Sequence, residues 1–113
     1  NISKAKKIIK NKIIGLTCHN SKKLIQNAIN YKVSYIAIGS FFSSKTKKIK
    51  YKAKIDLLNY AKNITKIPIV VIGGINSNNY KKLMLNKANF LAISGYVWKN
   101  NKYKPHEAIK KLK

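Results

Sequence analysis

The sequence predicts an α/β protein with parallel strands, on three observations. Four short apolar runs recur along the 113 residues: "KIIGLT" at 12–17, "YIAIGS" at 35–40, "PIVVIGG" at 68–74 and "FLAISG" at 90–95. Nearly continuous in apolar character, they read as strands covered on both faces, the signature of a parallel sheet. Amphipathic stretches follow them, so the order is strand then helix, four times over. Repeated βα units with short connections give right-handed crossovers, in an open doubly wound sheet or in a closed barrel. The length suits one domain with a single core.

Each helix has its own signal. In "NSKKLIQNAIN", Leu24, Ile25, Ala28 and Ile29 form one stripe, and Asn20 or Ser21 can cap the free N–H groups at the start. In "AKIDLLNYAKNI" the stripe is Ile55, Leu58, Ala61 and Ile64. "NSNNYKKLMLNK" offers Asn76 or Ser77 as cap, with Tyr80, Leu83 and Met84 inward. "KPHEAIKKLK" places Pro105 in a first turn, where proline is tolerated, followed by Ala108, Ile109 and Leu112. In the leader, residues 1–12, Ile2, Ala5, Ile8 and Ile9 share a face and read as the end of a preceding helix.

Composition narrows the function classes. The net charge of +23 comes from 25 basic and 2 acidic residues, a balance that suggests an anionic partner. Every basic residue is Lys, however, and the lysines are scattered; surfaces that read bases and phosphates favour the planar fork of Arg. The charge therefore reads as compositional drift, and nucleic acid is not the expected partner. Asp56 and Glu107 are the only carboxylates, too few for a carboxylate-rich magnesium site. One cysteine, Cys18, excludes an internal disulfide and fits a reducing, cytoplasmic compartment. The longest apolar run, 67–75, falls far short of the roughly 20 residues that span a membrane. A chain that opens on Asn1, with no signal-like segment, reads as an excerpt.

In both α/β architectures the functional residues follow the carboxyl ends of the strands. That rule selects Thr17 to His19, Ser40 to Lys48, Gly73 to Asn76 and Ser94 to Tyr96. The pair Gly73 and Gly74 either lets backbone approach a phosphate closely or simply supplies the torsions of a tight turn. "AISG" at 92–95 is its counterpart on the last strand. Ser43, Ser44 and Thr46, interleaved with Lys45, Lys47 and Lys48, could surround a highly charged anion such as a diphosphate, or form a solvated loop. Cys18 and His19 are neighbours on an extended segment and point to opposite faces, which disfavours a nucleophile–base pair and leaves Thr17 as the better ligand candidate. Tyr96, Trp98 and Tyr103 could stack on bases or pack between the last strand and last helix.

Taken together, "KIIGLTCHNSKKLIQNAINYKVSYIAIGSFFSSKTKK", "IPIVVIGGINSNN" and "FLAISGYVW" resemble the second half of the thiamine phosphate synthase family, a (βα)8 TIM barrel. The likeness covers essentially residues 1–113, as four βα units with the first half of the barrel absent. It implies a transferase of thiamine biosynthesis that joins hydroxymethylpyrimidine diphosphate to thiazole phosphate and expels pyrophosphate. By the same resemblance, Thr17, where serine is usual, and Lys47 contact the pyrimidine diphosphate or its pyrophosphate and are the catalytic candidates. Ser44, Lys45 and Thr46 meet the thiazole phosphate and the departing pyrophosphate; Gly74, Ile93 and Ser94 hold the thiazole phosphate. The family's magnesium is implied too, with its ligands expected in the first half and no metal site in this chain.

Apart from the absent first half, which is the largest departure from the family pattern, the departures are local. Ser40, Ser43 and Ser44 replace the usual proline, proline and threonine. Lys32 and Lys87 stand where the family often has glycine after a helix, implying strain at two helix ends. The related thiazole tautomerases use a histidine after the second of these strands, and none lies between Gly39 and Lys48, which favours the synthase. The alternative is a non-catalytic phosphate-binding paralogue or a tautomerase-like relative. Oligomeric state is not legible in the sequence.

Overall fold

Side chains of a strand alternate between two faces, and in the computed structural model, which describes residues 13–42 and 52–112, they meet very different surroundings. Strands β1 (Gly15–His19), β2 (Tyr35–Ile38), β3 (Ile69–Ile72) and β4 (Phe90–Ala92) form one sheet in the order β1-β2-β3-β4. Every pairing is parallel. On one face Cys18, Ile36, Ile38, Ile69 and Val71 are fully buried. Helices α1 (Lys22–Asn30), α2 (Ile55–Ile64) and α3 (Tyr80–Leu85) cover that face, contributing Ile25, Ala28, Leu57, Leu58, Ala61, Tyr80 and Leu83 to the same core. Truncating a fully buried residue such as Leu58 to alanine should cost about 2–5 kcal/mol.

The other face is open among the described residues, as four βα units without the rest of their barrel are expected to leave it, although the apolar runs alone read as strands covered on both sides. Gly15, Thr17 and Tyr35 are exposed there, as are Ile72 at 43% and Phe90 at 60%. Register explains the row: Thr17 lies beside Ala37, Ala37 beside Val70, and Val70 beside Phe90. Strand order also separates the two architectures left open by the sequence. Right-handed crossovers between successive neighbours put every helix on the same side, whereas a doubly wound sheet reverses its order to place helices on both. The unreversed order is that of a barrel segment.

The helix ends follow their local chemistry. Ser21 caps α1 by accepting a hydrogen bond from the Leu24 N–H at 3.2 Å. At its far end Lys32 adopts φ +54°, while Val33 N–H donates to Ala28 and Lys32 N–H to Ile29, the paired bonds of a Schellman motif. Lys87, at φ +67°, closes α3 the same way, with Ala88 N–H donating to Leu83 and Lys87 N–H to Met84. Both lysines thus occupy the left-handed conformation that favours glycine, as the family comparison implied.

Three packing details differ from expectation. In α2, Leu57 is buried and Ile64 is 43% exposed, because a strict three-residue spacing drifts around a helix of 3.6 residues per turn. Met84 and Ile109 are turned outward for the most part, whereas Leu83 and Ala108 are buried. Between β4 and the last helix, α5 (Pro105–Lys110), a short helix α4 (Gly95–Trp98) intervenes, which the sequence did not announce. Its Tyr96 hydroxyl donates to the Ala108 carbonyl at 2.9 Å, so Tyr96 joins α4 to α5, while Trp98 is 73% exposed. The leader helix over 1–12 lies outside the described residues.

Candidate functional site

The carboxyl ends of β1, β2 and β3 are hydrogen-bonded into one another, and this fixes where their loops begin. At β1 the chain turns at His19, with φ +50°, after a register shift between Thr17 and His19. Thr17 is exposed on the open face, and Cys18 is buried on the other. Burial pushes the Cys18 thiol up to about 11, so it stays protonated at neutral pH, and its Sγ faces the Leu16 carbonyl at 3.8 Å. A protonated thiol inside the core does not act as a nucleophile, in keeping with the sequence reading.

The loop leaving β2 lies on the end of β3. Gly39 N–H donates to the His19 carbonyl at 3.2 Å, Phe41 N–H to Ile72 at 3.1 Å and Phe42 N–H to Gly73 at 3.1 Å. The chain returns at Ala53, whose N–H donates to the Ser40 carbonyl at 2.8 Å, and Lys52 is held by the Asn20 side-chain amide at 3.4 Å. Both stems of the hydroxyl- and lysine-rich loop are therefore anchored at the carboxyl end of the sheet. Ser44, Lys45, Thr46 and Lys47 themselves lie outside the described residues.

At β3 the glycine pair takes φ +108° at Gly73 and φ +61° at Gly74, conformations that L side chains rarely adopt. Next comes an asparagine-rich turn before α3. Asn76 accepts from the Asn78 N–H through its side chain at 2.8 Å, which makes it a turn residue: the N-cap position of α3 is Asn79, and this corrects the expectation of Asn76 or Ser77 as the cap. Asn79 was missed by sequence reasoning: its side chain accepts from the Asn76 N–H at 2.8 Å and donates to the Gly74 carbonyl at 3.0 Å. At β4, Ile93 is half-buried and Ser94 exposed, with the Ser94 carbonyl accepting from Val97 and Trp98 N–H at 3.1 and 2.9 Å. Since Ile72 pairs with Ala92, the Gly73–Gly74 and Ile93–Ser94 segments continue adjacent strands side by side. Thr17 stands two strands away from the glycine pair.

Among the described residues the strand ends offer backbone amides and the Thr17 and Ser94 hydroxyls, groups that can donate to a phosphate. Among the described residues no group of three His, Cys, Asp or Glu side chains could hold a metal ion. Asp56 and Glu107 stand apart in the first turns of α2 and α5, and Glu107 accepts from the Lys104 N–H at 3.4 Å. These residues do not fit the family's magnesium. No helix among the described residues is long and apolar enough to cross a membrane.

An unreversed parallel sheet with glycines and hydroxyls at its strand ends and helices on one face defines an α/β protein of the (βα)-barrel class. Within that class the chain belongs to the thiamine monophosphate synthase family, whose model matches residues 1–97. It is 63% identical over 110 residues to the thiamine-phosphate synthase of Pelagibacter ubique (strain HTCC1062), covering 97% of this chain and 53% of that protein. To the thiamine-phosphate synthase of Nitrosomonas eutropha it is 41% identical over 85 residues, 75% of this chain and 40% of that one. Among solved structures, thiamine phosphate pyrophosphorylase from Pyrococcus furiosus matches with a TM-score of 0.82 at 27% identity, over 99% of this chain and 52% of that chain. The chain spans about half the length, or less, of the relatives it matches.

Proposed function

We propose that the chain forms the second half of a thiamine phosphate synthase, which joins hydroxymethylpyrimidine diphosphate to thiazole phosphate. The observation that carries this reading is the pairing of two phosphate-suited strand ends, Gly73–Gly74 and Ile93–Ser94, on neighbouring strands, in a chain 63% identical to a named thiamine-phosphate synthase. The Gly74 and Ser94 groups would hold the thiazole phosphate, with the Ile93 backbone between them. Thr17 and Lys47 would contact the pyrimidine diphosphate or its pyrophosphate, while Ser44, Lys45 and Thr46 would meet the thiazole phosphate and the departing pyrophosphate.

In this reading the bond between the pyrimidine methylene and the diphosphate oxygen breaks, the electron pair leaves with pyrophosphate, and the thiazole nitrogen supplies the pair for the new C–N bond. No proton need move and no protein nucleophile is required. Donors fixed around the leaving group stabilise charge as it grows, which is electrostatic catalysis. Held phosphate anchors also bring nitrogen and methylene together. Magnesium, where the family uses it, would be held by residues outside this chain and would neutralise charge on the departing pyrophosphate. The open sheet face, with Tyr35, Ile72 and Phe90 exposed, is where the remaining βα units would pack.

The test is stoichiometric. The chain, assembled with the other half of its barrel, should release one pyrophosphate for each thiamine phosphate formed from the two substrates. Pyrophosphate release without thiamine phosphate would overturn the assignment in favour of a hydrolase.

A further inference from the structure

Gly74 is flexible by nature, yet a phosphate cradle needs its N–H aimed in one direction, and the hydrogen bonds around it show how that freedom is removed. A trans peptide is planar, so its N–H points opposite to its C=O. The Gly73 carbonyl is held by Phe42 N–H at 3.1 Å, which directs the Gly74 N–H away from the β2 loop. On the following peptide the Gly74 carbonyl is held by the Asn79 side-chain amide at 3.0 Å. With both flanking planes tied, a residue that would otherwise sample much of φ/ψ space is left with one orientation.

Asn79 stands directly before α3, where an asparagine normally accepts a hydrogen bond from its own helix. It makes no such side-chain bond. Both amide atoms reach back along the chain: Nδ2 to the Gly74 carbonyl, Oδ1 to the Asn76 N–H at 2.8 Å. The side chain is half-buried beneath the turn that it closes. Its geometry serves the loop.

We infer that Asn79 is a positioning residue for recognition of the phosphate group on the thiazole substrate: by holding the Gly74 carbonyl it fixes the Gly74–Ile75 peptide, and with the Phe42 bond on the preceding peptide it keeps Gly74 in the conformation whose N–H faces the phosphate. The inference rests on the phosphate reading of Gly74. A role in phosphate recognition predicts a loss that a merely structural role would not produce, namely reduced preference for the phosphorylated substrate over the same thiazole bearing a free alcohol.

The experiment compares kcat/KM for thiazole phosphate and thiazole alcohol in the assembled enzyme, with pyrimidine diphosphate saturating. Asn79→Leu should reduce the phosphate-over-alcohol preference about tenfold, the scale expected when a group supporting a ligand contact is lost. Asn79→Asp keeps the acceptor for Asn76 and removes the donor to Gly74, so it tests the second bond in a protein that retains the first. Its preference should fall similarly and stay low in about 1 M salt, where direct carboxylate–phosphate repulsion is screened. If both substrates lose activity in the same proportion, or if salt restores the aspartate variant, Asn79 does not position the phosphate donor. A wild-type enzyme that makes product from neither substrate overturns the synthase reading itself, and the inference with it.

Discussion

Ser40 sits so close to Gly73 that a methyl group on the glycine would lie 2.5 Å from the Ser40 Cβ. Glycine is required here twice over, by its φ of +108° and by the approach of the neighbouring loop. Gly73→Ala should destabilise the assembled protein by at least about 2 kcal/mol, from strain and steric conflict together. Ser40→Gly in the same background removes the Cβ and Oγ contacts and should recover part of that loss, leaving the torsional share and the conflict with the residue-40 Cα at 2.7 Å. Urea denaturation of the two single variants and the double variant reads the coupling; additive effects would show that the two loops do not press on one another.

The two proposed anion sites should separate kinetically. Lys47→Ala should lower turnover with little change in affinity for thiazole phosphate, by about 2–4 kcal/mol in the transition state if its charge meets the leaving group. Ser94→Ala and Gly74→Val should instead raise the Michaelis constant for thiazole phosphate and spare that for pyrimidine diphosphate. Steady-state kinetics with each substrate varied in turn distinguish the patterns, and equal weakening of both substrates would contradict the map.

Two helix ends are strained by their residue type. Lys87 at φ +67° and Lys32 at φ +54° hold conformations that disfavour a residue with a Cβ by about 1–2 kcal/mol. Lys87→Gly should raise unfolding free energy by up to about 1 kcal/mol, the greater freedom of glycine in the unfolded chain offsetting the rest. Lys87→Ala removes the charge and keeps the strain, so only the glycine variant should gain in thermal denaturation.

How much of this was legible in the sequence depended on whether the controlling interaction was local. Ser21 and the glycine pair were readable because capping and positive φ are set within a few residues of chain, whereas Lys32 and Lys87 came only from the resemblance to a family that often has glycine at those places. The start of β1 was read too early: Ile13 and Ile14 looked like strand, but the paired segment is Gly15–His19, with Ile13 81% exposed. Apolar character alone does not distinguish a strand from the residues that lead into it. Helix α4 went unseen because its four residues are too few for a periodic pattern and begin with Gly95. Asn79 was hidden for another reason. Its part depends on a loop geometry that exists only once Gly73 and Gly74 have taken their positive φ values.

Cys18 predicts a pH dependence. Its folded pKa, raised to about 11 from the ordinary 9.0 by burial, lies above the unfolded one, so its protonated thiol contributes stability fully below pH 9. That contribution is lost as pH rises from 9 toward 11, because the unfolded chain ionises first. Lysines titrate in the same range, so the comparison is with Cys18→Ala: the stability difference between wild type and variant should shrink across this interval. A constant difference in denaturant unfolding at each pH would contradict the buried-thiol account.

The most direct measurement is thiamine phosphate formation by this 113-residue chain alone and by the same chain joined to the other four βα units, covalently or as a second polypeptide. The isolated chain leaves both outer strands, β1 and β4, with a single described neighbour and one sheet face open, and open edges are prone to aggregate. Its charge of +23 adds self-repulsion. The account predicts no product from the isolated chain and magnesium-dependent product, abolished by chelator, from the completed barrel. Product from the isolated chain, or none from a well-folded completed barrel, would contradict the claim that this chain is half of a synthase.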